Sequence, residues 1–94
     1  MAVAVQVKFD GATLEQYDQI IEKMGYQAGG KGAPGCISHW VTKTDKGIKV
    51  TDVWEKQQQF ESFAQEQIGP NAQSVGVGAP KVTFIDVHNY LTQG

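Results

Sequence analysis

The feature of this sequence that most restricts its fold is a change of hydrophobic period along the chain. Val3, Val5 and Val7 alternate with small or polar residues, and a period of two is typical of a strand. From Leu14 to Met24 the apolar residues recur instead every three or four positions, which is the spacing of a helix with one apolar face. The sequence therefore predicts a strand followed directly by an amphipathic helix.

The ends of this first helix are marked by residues with known capping roles. Thr13 and Gln16 stand at the spacing of a capping box, in which each side chain accepts a hydrogen bond from the other residue's backbone. Gly25 follows the last apolar position and is expected to cap the C-terminus. We therefore predict a helix over residues 13 to 25.

Two more segments of strand character follow, Cys36 to Thr44 and Gly47 to Trp54, and they are close enough to form a hairpin. With Gly47 in the left-handed conformation of a four-residue loop, Lys43 pairs with Ile48. A slip of one residue would mix the two faces of the sheet, so this register is favoured. Counting outward, it predicts three further pairs: Val41 with Val50, His39 with Asp52, and Ile37 with Trp54.

A second amphipathic helix is predicted after Glu55. Its apolar residues stand at helical spacing and are Phe60, Phe63, Ala64 and Ile68. Gly69 and Pro70 are expected to end it, and a short turn or helical piece extends to Val75. The residues from Lys81 to Leu91 are predicted to form the last strand.

The order strand, helix, strand, strand, helix, strand is that of an α+β, ferredoxin-like fold, with both helices on one face of an antiparallel sheet. A chain of 94 residues is long enough for one domain, which we expect to span 1–94. Apolar residues occupy both faces of the predicted strands, as Phe84 and Ile85 show, so both faces must be covered. We expect a second copy of the chain to cover the face without helices, which predicts a homodimer.

Composition narrows the classes of function. The net charge of −2 gives no reason to expect a nucleic acid or an anionic membrane as partner. Cys36 is the one cysteine, so no disulfide forms within the chain, which fits a reducing cytoplasm. No apolar run approaches the ~20 residues that cross a bilayer. We therefore expect a soluble cytoplasmic protein with a small-molecule ligand.

His39 and Asp52 are the leading candidates for catalysis. Directly opposed residues of a hairpin have Cβ atoms ~4.5–5.5 Å apart, so the Asp52 carboxylate can accept the imidazole proton and fix the tautomer of His39. This arrangement commonly prepares a histidine as a general base. A polar pair that only satisfies itself, or that orients a ligand, is the structural alternative.

Further candidates for substrate contact lie elsewhere in the chain. His88 and Tyr90 share a face of the last predicted strand with Asp86, and the alternative for them is a dimer interface. Trp54, Tyr17 and Phe63 are aromatic residues that would line a space between sheet and helices, either as core or as pocket walls; Phe60 belongs to the same set. The His and Asp residues lack tight metal-ligand spacing, so no metal site is predicted.

Two other features are interpreted as structural. The glycine-rich segment from Gly25 to Gly35 lacks the spacing of a phosphate-binding P-loop, because Lys31 is followed by Gly32. A flexible connecting loop is therefore favoured over a ligand cradle. Nothing near Cys36 in the sequence lowers its pKa, so an inert thiol is expected.

The segment DVWE, residues 52–55, followed by Phe60 and Phe63, resembles the antibiotic-biosynthesis monooxygenase superfamily of dimeric α/β barrels. His39 before the hairpin and the closing Val-His-Asn at 87–89 are similar to small, mostly uncharacterised members. The resemblance implies a homodimer in which two sheets form a barrel, with a pocket between sheet and helices of each subunit.

The resemblance also implies a choice of activities. Some members oxidise polycyclic phenols with oxygen and without metal or flavin, because the anion of the substrate itself activates oxygen. Others degrade haem with an Asn, a Trp and a His that fall by position on Gln6, Phe63 and about Gln73. None of these three matches, so the resemblance implies a monooxygenase-like enzyme that needs no cofactor. The alternative is a homodimer that binds a small ligand or is purely structural, without catalysis.

Overall fold

The computed structural model describes residues 1–93, and within them four strands form one antiparallel sheet in the order β2-β3-β1-β4. The strands are β1 (Val3–Asp10), β2 (Cys36–Lys43), β3 (Gly47–Trp54) and β4 (Lys81–Asp86). The helical segments are α1 (Leu14–Lys23), α2 (Gln57–Phe63), a π turn (Ala64–Ile68) and α3 (Gly69–Ser74). The predicted ferredoxin-like α+β fold is confirmed.

The core lies on the face of the sheet that the helices cover. Val5, on the central strand β1, is fully buried and Trp54 on β3 is 1% exposed. The Trp54 and Phe60 rings meet edge to face with their centroids 5.9 Å apart. Burying an apolar side chain of this size stabilises the folded state by roughly 1.5–3 kcal/mol. This packing holds α2 against β3.

The register of the hairpin agrees with prediction in its inner part. Lys43 pairs with Ile48, and His39 lies opposite Asp52. The predicted pairing of Ile37 with Trp54 is wrong, because the register shifts between Cys36 and Ser38 and Cys36 lies opposite Trp54 instead. An extra residue in one strand is a β-bulge, which re-aims the side chains beside it.

The start of α1 also agrees with prediction. The backbone N–H of Gln16 donates to Thr13 Oγ1 at 3.1 Å, and the backbone N–H of Thr13 donates to Gln16 Oε1 at 3.0 Å. The helix ends slightly earlier than predicted, since Met24 is the C-cap and Gly25 follows it with φ 86°. Glycine is favoured there because a side chain would be strained at this φ.

The second helix does not end at Gly69 and Pro70, as the sequence predicts, but continues to Ser74. The chain widens into the π turn before these residues, and the N–H of Gly69 donates to the carbonyl of Ala64, five positions back. Pro70 lies in the first turn of α3, where its missing N–H matters less than it would inside a helix. The π turn thus lets a helix run through a Gly-Pro pair.

The last strand is shorter than predicted, since β4 ends at Asp86 and not at Leu91. Asp86 pairs with Val3, the first residue of β1, so β1 offers no further residue for the ladder. One more bond follows, from the N–H of Val87 to the carbonyl of Ala2 at 3.1 Å. Residues 88–93 therefore lie outside the sheet.

The sheet face opposite the helices carries exposed apolar side chains. Trp40 on β2 is 50% exposed and Ile85 on β4 is 49% exposed. Ala4 pairs with both Val53 and Ile85, so an apolar row runs across three strands on this face.

Gly47, the first residue of β3, is required for close approach between backbones. The prediction that it adopts the left-handed conformation is wrong, because the glycines with positive φ within residues 1–93 do not include it. A Cβ added at Gly47 would lie 2.1 Å from the carbonyl oxygen of Phe9 and 2.9 Å from the nitrogen of Gly11. The strand end can meet β1 this closely only without a side chain.

We predict that Gly47→Ala lowers the free energy of unfolding by about 2 kcal/mol or more, because the backbone of β1 must move to admit a methyl group. The measurement is urea unfolding followed by tryptophan fluorescence. Gly78→Ala is the control, since a Cβ there would meet nothing within 4 Å. Equal stability of the two variants would contradict the prediction.

Candidate functional site

A cavity of about 780 Å³ lies between the helix-covered face of the sheet and α1. This is within the range of ~300–1,000 Å³ that is usual for small-molecule sites. Val7, Val50 and Trp54 line it from the sheet, Tyr17 and Ile20 from α1, and Phe63 and Ile68 from the second helical region. The cavity is therefore mainly apolar and rich in aromatic rings.

The glycine-rich segment forms one wall of this cavity. Every residue from Tyr26 to Ala33 lines it, and a turn within the segment is closed by the N–H of Gly30 donating to the carbonyl of Gln27 at 2.9 Å. The interpretation as a connecting loop missed this role. Composition gives no signal for it, since the wall exists only once α1 and β2 are packed.

Asp52 and His39 meet as the register predicts. His39 Nδ1 lies 2.6 Å from Asp52 Oδ1, and the other carboxylate oxygen accepts a hydrogen bond from Trp54 Nε1 at 3.0 Å. Asp52 is 3% exposed, whereas the His39 side chain is 33% exposed. The buried carboxylate therefore has a partner on each oxygen, and the imidazole connects it to the cavity.

Tyr17 extends this contact by one more group. Its hydroxyl oxygen lies 2.5 Å from His39 Nε2, and the two rings are nearly parallel, with their centroids 5.9 Å apart and 13° between their planes. Sequence reasoning placed Tyr17 in the cavity wall but did not find this hydrogen bond. The bond joins α1 to β2, and no local pattern in the sequence indicates which turn of a helix lies over which strand residue.

Burial and negative charge set the acidity of the groups around this carboxylate. Burial, followed by the charges of Asp52 and Asp18, raises the pKa of Tyr17 from 10.0 to about 12. Burial and the charge of Asp52 raise the pKa of the Cys36 thiol from 9.0 to about 12, against a lowering effect of its bond to the Ser38 carbonyl. Both side chains are therefore neutral at physiological pH.

The structure brings five of the predicted site residues together and leaves two apart. Tyr17, His39, Asp52, Trp54 and Phe63 all line the cavity. Phe63 packs on Trp54 with a centroid distance of 5.5 Å. His88 and Tyr90 are exposed, follow the end of β4 and are not among the residues that line the cavity.

Metal binding and membrane insertion find no support in the described chain. Within residues 1–93, no group of three or more His, Cys, Asp or Glu side chains lies close enough together to hold a metal ion. None of the helices described in residues 1–93 combines the length and apolar character needed to span a bilayer.

The fold is similar to that of several solved structures, among them antibiotic biosynthesis monooxygenases and a cofactor-independent oxygenase. A candidate antibiotic biosynthesis monooxygenase from Chloroflexus aurantiacus is 21% identical, with a TM-score of 0.63 and 100% of both chains covered. SnoaB, a cofactor-independent oxygenase from Streptomyces nogalater, is 14% identical with a TM-score of 0.61, covering 98% of this chain and 97% of that one.

A third similar structure contains a ligand. The monooxygenase ActVA-Orf6 of Streptomyces coelicolor, in complex with nanaomycin D, is 18% identical with a TM-score of 0.57, covering 99% of this chain and 92% of that one. No protein-family model matches this sequence, and no curated protein matches it. At these identities the likeness concerns the fold alone.

We predict that Cys36 reacts with iodoacetamide roughly 1,000-fold more slowly than a free thiol at pH 8, because a pKa of about 12 leaves few thiolates. Mass spectrometry counts the label, since the chain has one cysteine. The matched control is the same protein in denaturant, where labelling should be fast. Equally fast labelling of the folded protein would contradict the raised pKa.

Proposed function

We propose that this protein is a cofactor-independent oxygenase that acts on a small aromatic substrate with an acidic hydroxyl group. The observation that carries the proposal is the hydrogen bond of 2.6 Å between His39 and the buried Asp52 at the wall of an apolar cavity. The fold is shared with SnoaB, a cofactor-independent oxygenase. The alternative function is binding of the same kind of ligand without turnover.

His39 serves as the general base and Asp52 as its positioning residue. A carboxylate that accepts the Nδ1 proton leaves a lone pair on Nε2, the nitrogen on the side of Tyr17. When the imidazole takes up a proton, the Asp52 charge stabilises the resulting imidazolium. Trp54 holds the second carboxylate oxygen, so Asp52 cannot easily turn away.

The reaction is an oxidation by molecular oxygen. The substrate hydroxyl gives its proton to His39, and the aryl oxide anion passes one electron to O₂. The aryloxyl radical and superoxide combine to form a bond between a ring carbon and oxygen, and the imidazolium protonates the outer oxygen. The O–O bond then breaks as the ring C–H proton is lost with hydroxide, so one substrate and one O₂ give one quinone and one water.

The cavity suits such a substrate. Trp54, Phe63 and Tyr26 contribute aromatic rings to its lining, and stacked or edge-on rings favour a flat aromatic ligand. A site that excludes water also strengthens the electrostatic interaction between a substrate anion and an imidazolium. ActVA-Orf6 holds nanaomycin D within a similar fold, which supports a small-molecule ligand for this chain.

The proposal predicts oxygen uptake with at least one member of a panel of polycyclic phenols. His39→Ala should lower kcat by about 10²–10⁴-fold, the usual contribution of a general base. Asp52→Asn should also lower kcat, since the amide does not stabilise an imidazolium. An oxygen electrode and product absorbance follow the reaction.

Gln19→Ala, on an exposed position of α1, is the matched control. Binding of a phenol by fluorescence quenching, without oxygen uptake by any panel member, would favour the alternative of a binding protein. Uptake that survives His39→Ala would remove His39 from the mechanism.

We also propose that the protein is a homodimer and that it resides in the cytoplasm. The half-exposed Trp40 and Ile85 on the sheet face opposite the helices support the first proposal, since contiguous apolar surface commonly marks an interface. The unpaired thiol of Cys36 fits a reducing compartment. His88 and Tyr90, which follow the end of β4 and are exposed, would then contact the partner or a pocket that the partner completes.

The dimer proposal predicts that Ile85→Lys weakens self-association at least about tenfold, because a buried unpaired charge is costly. Sedimentation velocity over a range of protein concentrations measures the effect. Gln19→Lys adds the same charge on an exposed position of α1 and should leave the dimer intact. A monomeric wild-type protein at high concentration would refute the proposal.

A further inference from the structure

We propose that the Tyr17 hydroxyl is the group that exchanges the proton with the bound substrate, and that the site therefore accepts protons from O–H groups and not from C–H groups. This inference rests on the proposed function, because it assigns the contact between substrate and base. It assigns Tyr17 a catalytic role in addition to its place in the lining of the cavity.

The first argument is that His39 offers no free lone pair to the cavity. Its Nδ1 lies 2.6 Å from a carboxylate oxygen of Asp52, which can only accept, so Nδ1 carries the proton. Nε2 is then the acceptor of the neutral imidazole, and the Tyr17 hydroxyl lies 2.5 Å from it. A substrate cannot reach Nε2 while this bond exists.

The second argument is that every hydrogen bond of the site is donated towards Asp52. Trp54 Nε1 donates to Asp52, His39 donates to Asp52, and Tyr17 donates to His39. The Tyr17 oxygen is the open end of this chain, and a phenolic oxygen that donates one hydrogen bond can still accept another. A substrate hydroxyl completes the chain as its outermost donor.

In the proposed transfer, two protons move, and each crosses one hydrogen bond of this chain. The substrate O–H bond breaks, its proton goes to the Tyr17 oxygen, and the electron pair stays on the substrate oxygen. The former proton of Tyr17 goes to His39 Nε2, which becomes an imidazolium next to Asp52. Tyrosinate is never formed, in agreement with the burial and charge that raise the pKa of Tyr17 to about 12.

This route discriminates between classes of acid. A hydroxyl group forms a hydrogen bond with the Tyr17 oxygen before it reacts, which holds it in a reactive position. A C–H group forms no comparable bond, and the oxygen of a neutral phenol is too weak a base to remove its proton. A carbon acid would have to meet Nε2 directly, with Tyr17 moved aside.

Tyr17 is held rigidly enough for this role. The capping box fixes the first turn of α1, and the side chain of Gln16 donates to the carbonyl of Val75 at 3.2 Å, which ties that turn to the end of α3. The hydrogen bond to His39 Nε2 holds the Tyr17 ring nearly parallel to the imidazole, at 13° between the planes. The hydroxyl is therefore placed before a ligand binds.

The test compares Tyr17→Phe with wild type and uses two probes that need no oxygen. The first is 4-nitrophenol, whose absorbance reports the ionised fraction of the bound molecule. The second is an aryl methyl ketone in D₂O, whose C–H exchange is followed by proton NMR. Tyr17→Phe keeps the ring, and intact near-UV circular dichroism shows that the variant is folded.

We expect wild type to ionise the bound phenol and Tyr17→Phe to lower the ratio of bound anion to bound neutral probe at least about tenfold, one unit of pKa. Affinity for the neutral probe should change less than about threefold. Exchange of the ketone should stay slow in both proteins, because the ring that Tyr17→Phe retains still lies beside Nε2 and no other group of the relay removes a C–H proton. Equal or greater ionisation of 4-nitrophenol in the variant would overturn the proposal.

Imidazole ¹⁵N shifts add a readout that does not depend on turnover. Tyr17→Phe should move the Nε2 resonance of His39 and leave Nδ1 in place, whereas Asp52→Asn should move Nδ1. An unmoved Nε2 resonance would show that the bond to Tyr17 is absent and would overturn the proposal. If ionisation of 4-nitrophenol depends on Tyr17 but the protein takes up no oxygen with any phenol, the role of Tyr17 in proton exchange stands. Only the proposed oxygenase activity is then rejected.

Discussion

The burial of the Asp52 carboxylate is the constraint on which the rest of the site depends. A carboxylate that is 3% exposed destabilises a fold unless hydrogen bonds replace the water that it loses. Here one oxygen is satisfied by Trp54 and the other by His39. The hairpin register, the position of the indole and the tautomer of the imidazole are therefore linked, because a change in any of them leaves a buried charge without a partner.

This dependence also explains why the dyad could be predicted from sequence. The short turn between β2 and β3 fixes which residues face each other, and alternation of side chains extends that information outward from Lys43 and Ile48 to His39 and Asp52. The same alternation predicts the wrong partner for Ile37, because the β-bulge begins there. A bulge depends on how the chain enters the strand, here through Gly35 with φ 88°, and strand alternation contains no sign of it.

The parts of the site that sequence did not predict arise from packing between distant elements. The bond from Tyr17 to His39 requires α1 to lie over β2 at one particular rotation. The glycine-rich wall likewise exists only because residues 26 to 33 fold back over the cavity. The site thus combines a base held on a sheet with a wall in which five of the eight residues from 26 to 33 are glycine or alanine. Exchange of side chains in that wall can change the shape of the cavity without moving the base.

The π turn has a consequence for how the second helical region meets the sheet. Phe60 and Ala72 are both buried although they are twelve residues apart, and in a continuous α-helix that spacing would separate their directions by about 120°. The wider turn absorbs roughly one residue, which brings the two directions to within about 20° of each other. The π turn therefore rotates the later part of the helical region, so that the same side of a long helix stays against the core. Because Gly69 and Pro70 commonly end a helix, a reader of the sequence divides this continuous helical region into one helix and a short separate piece.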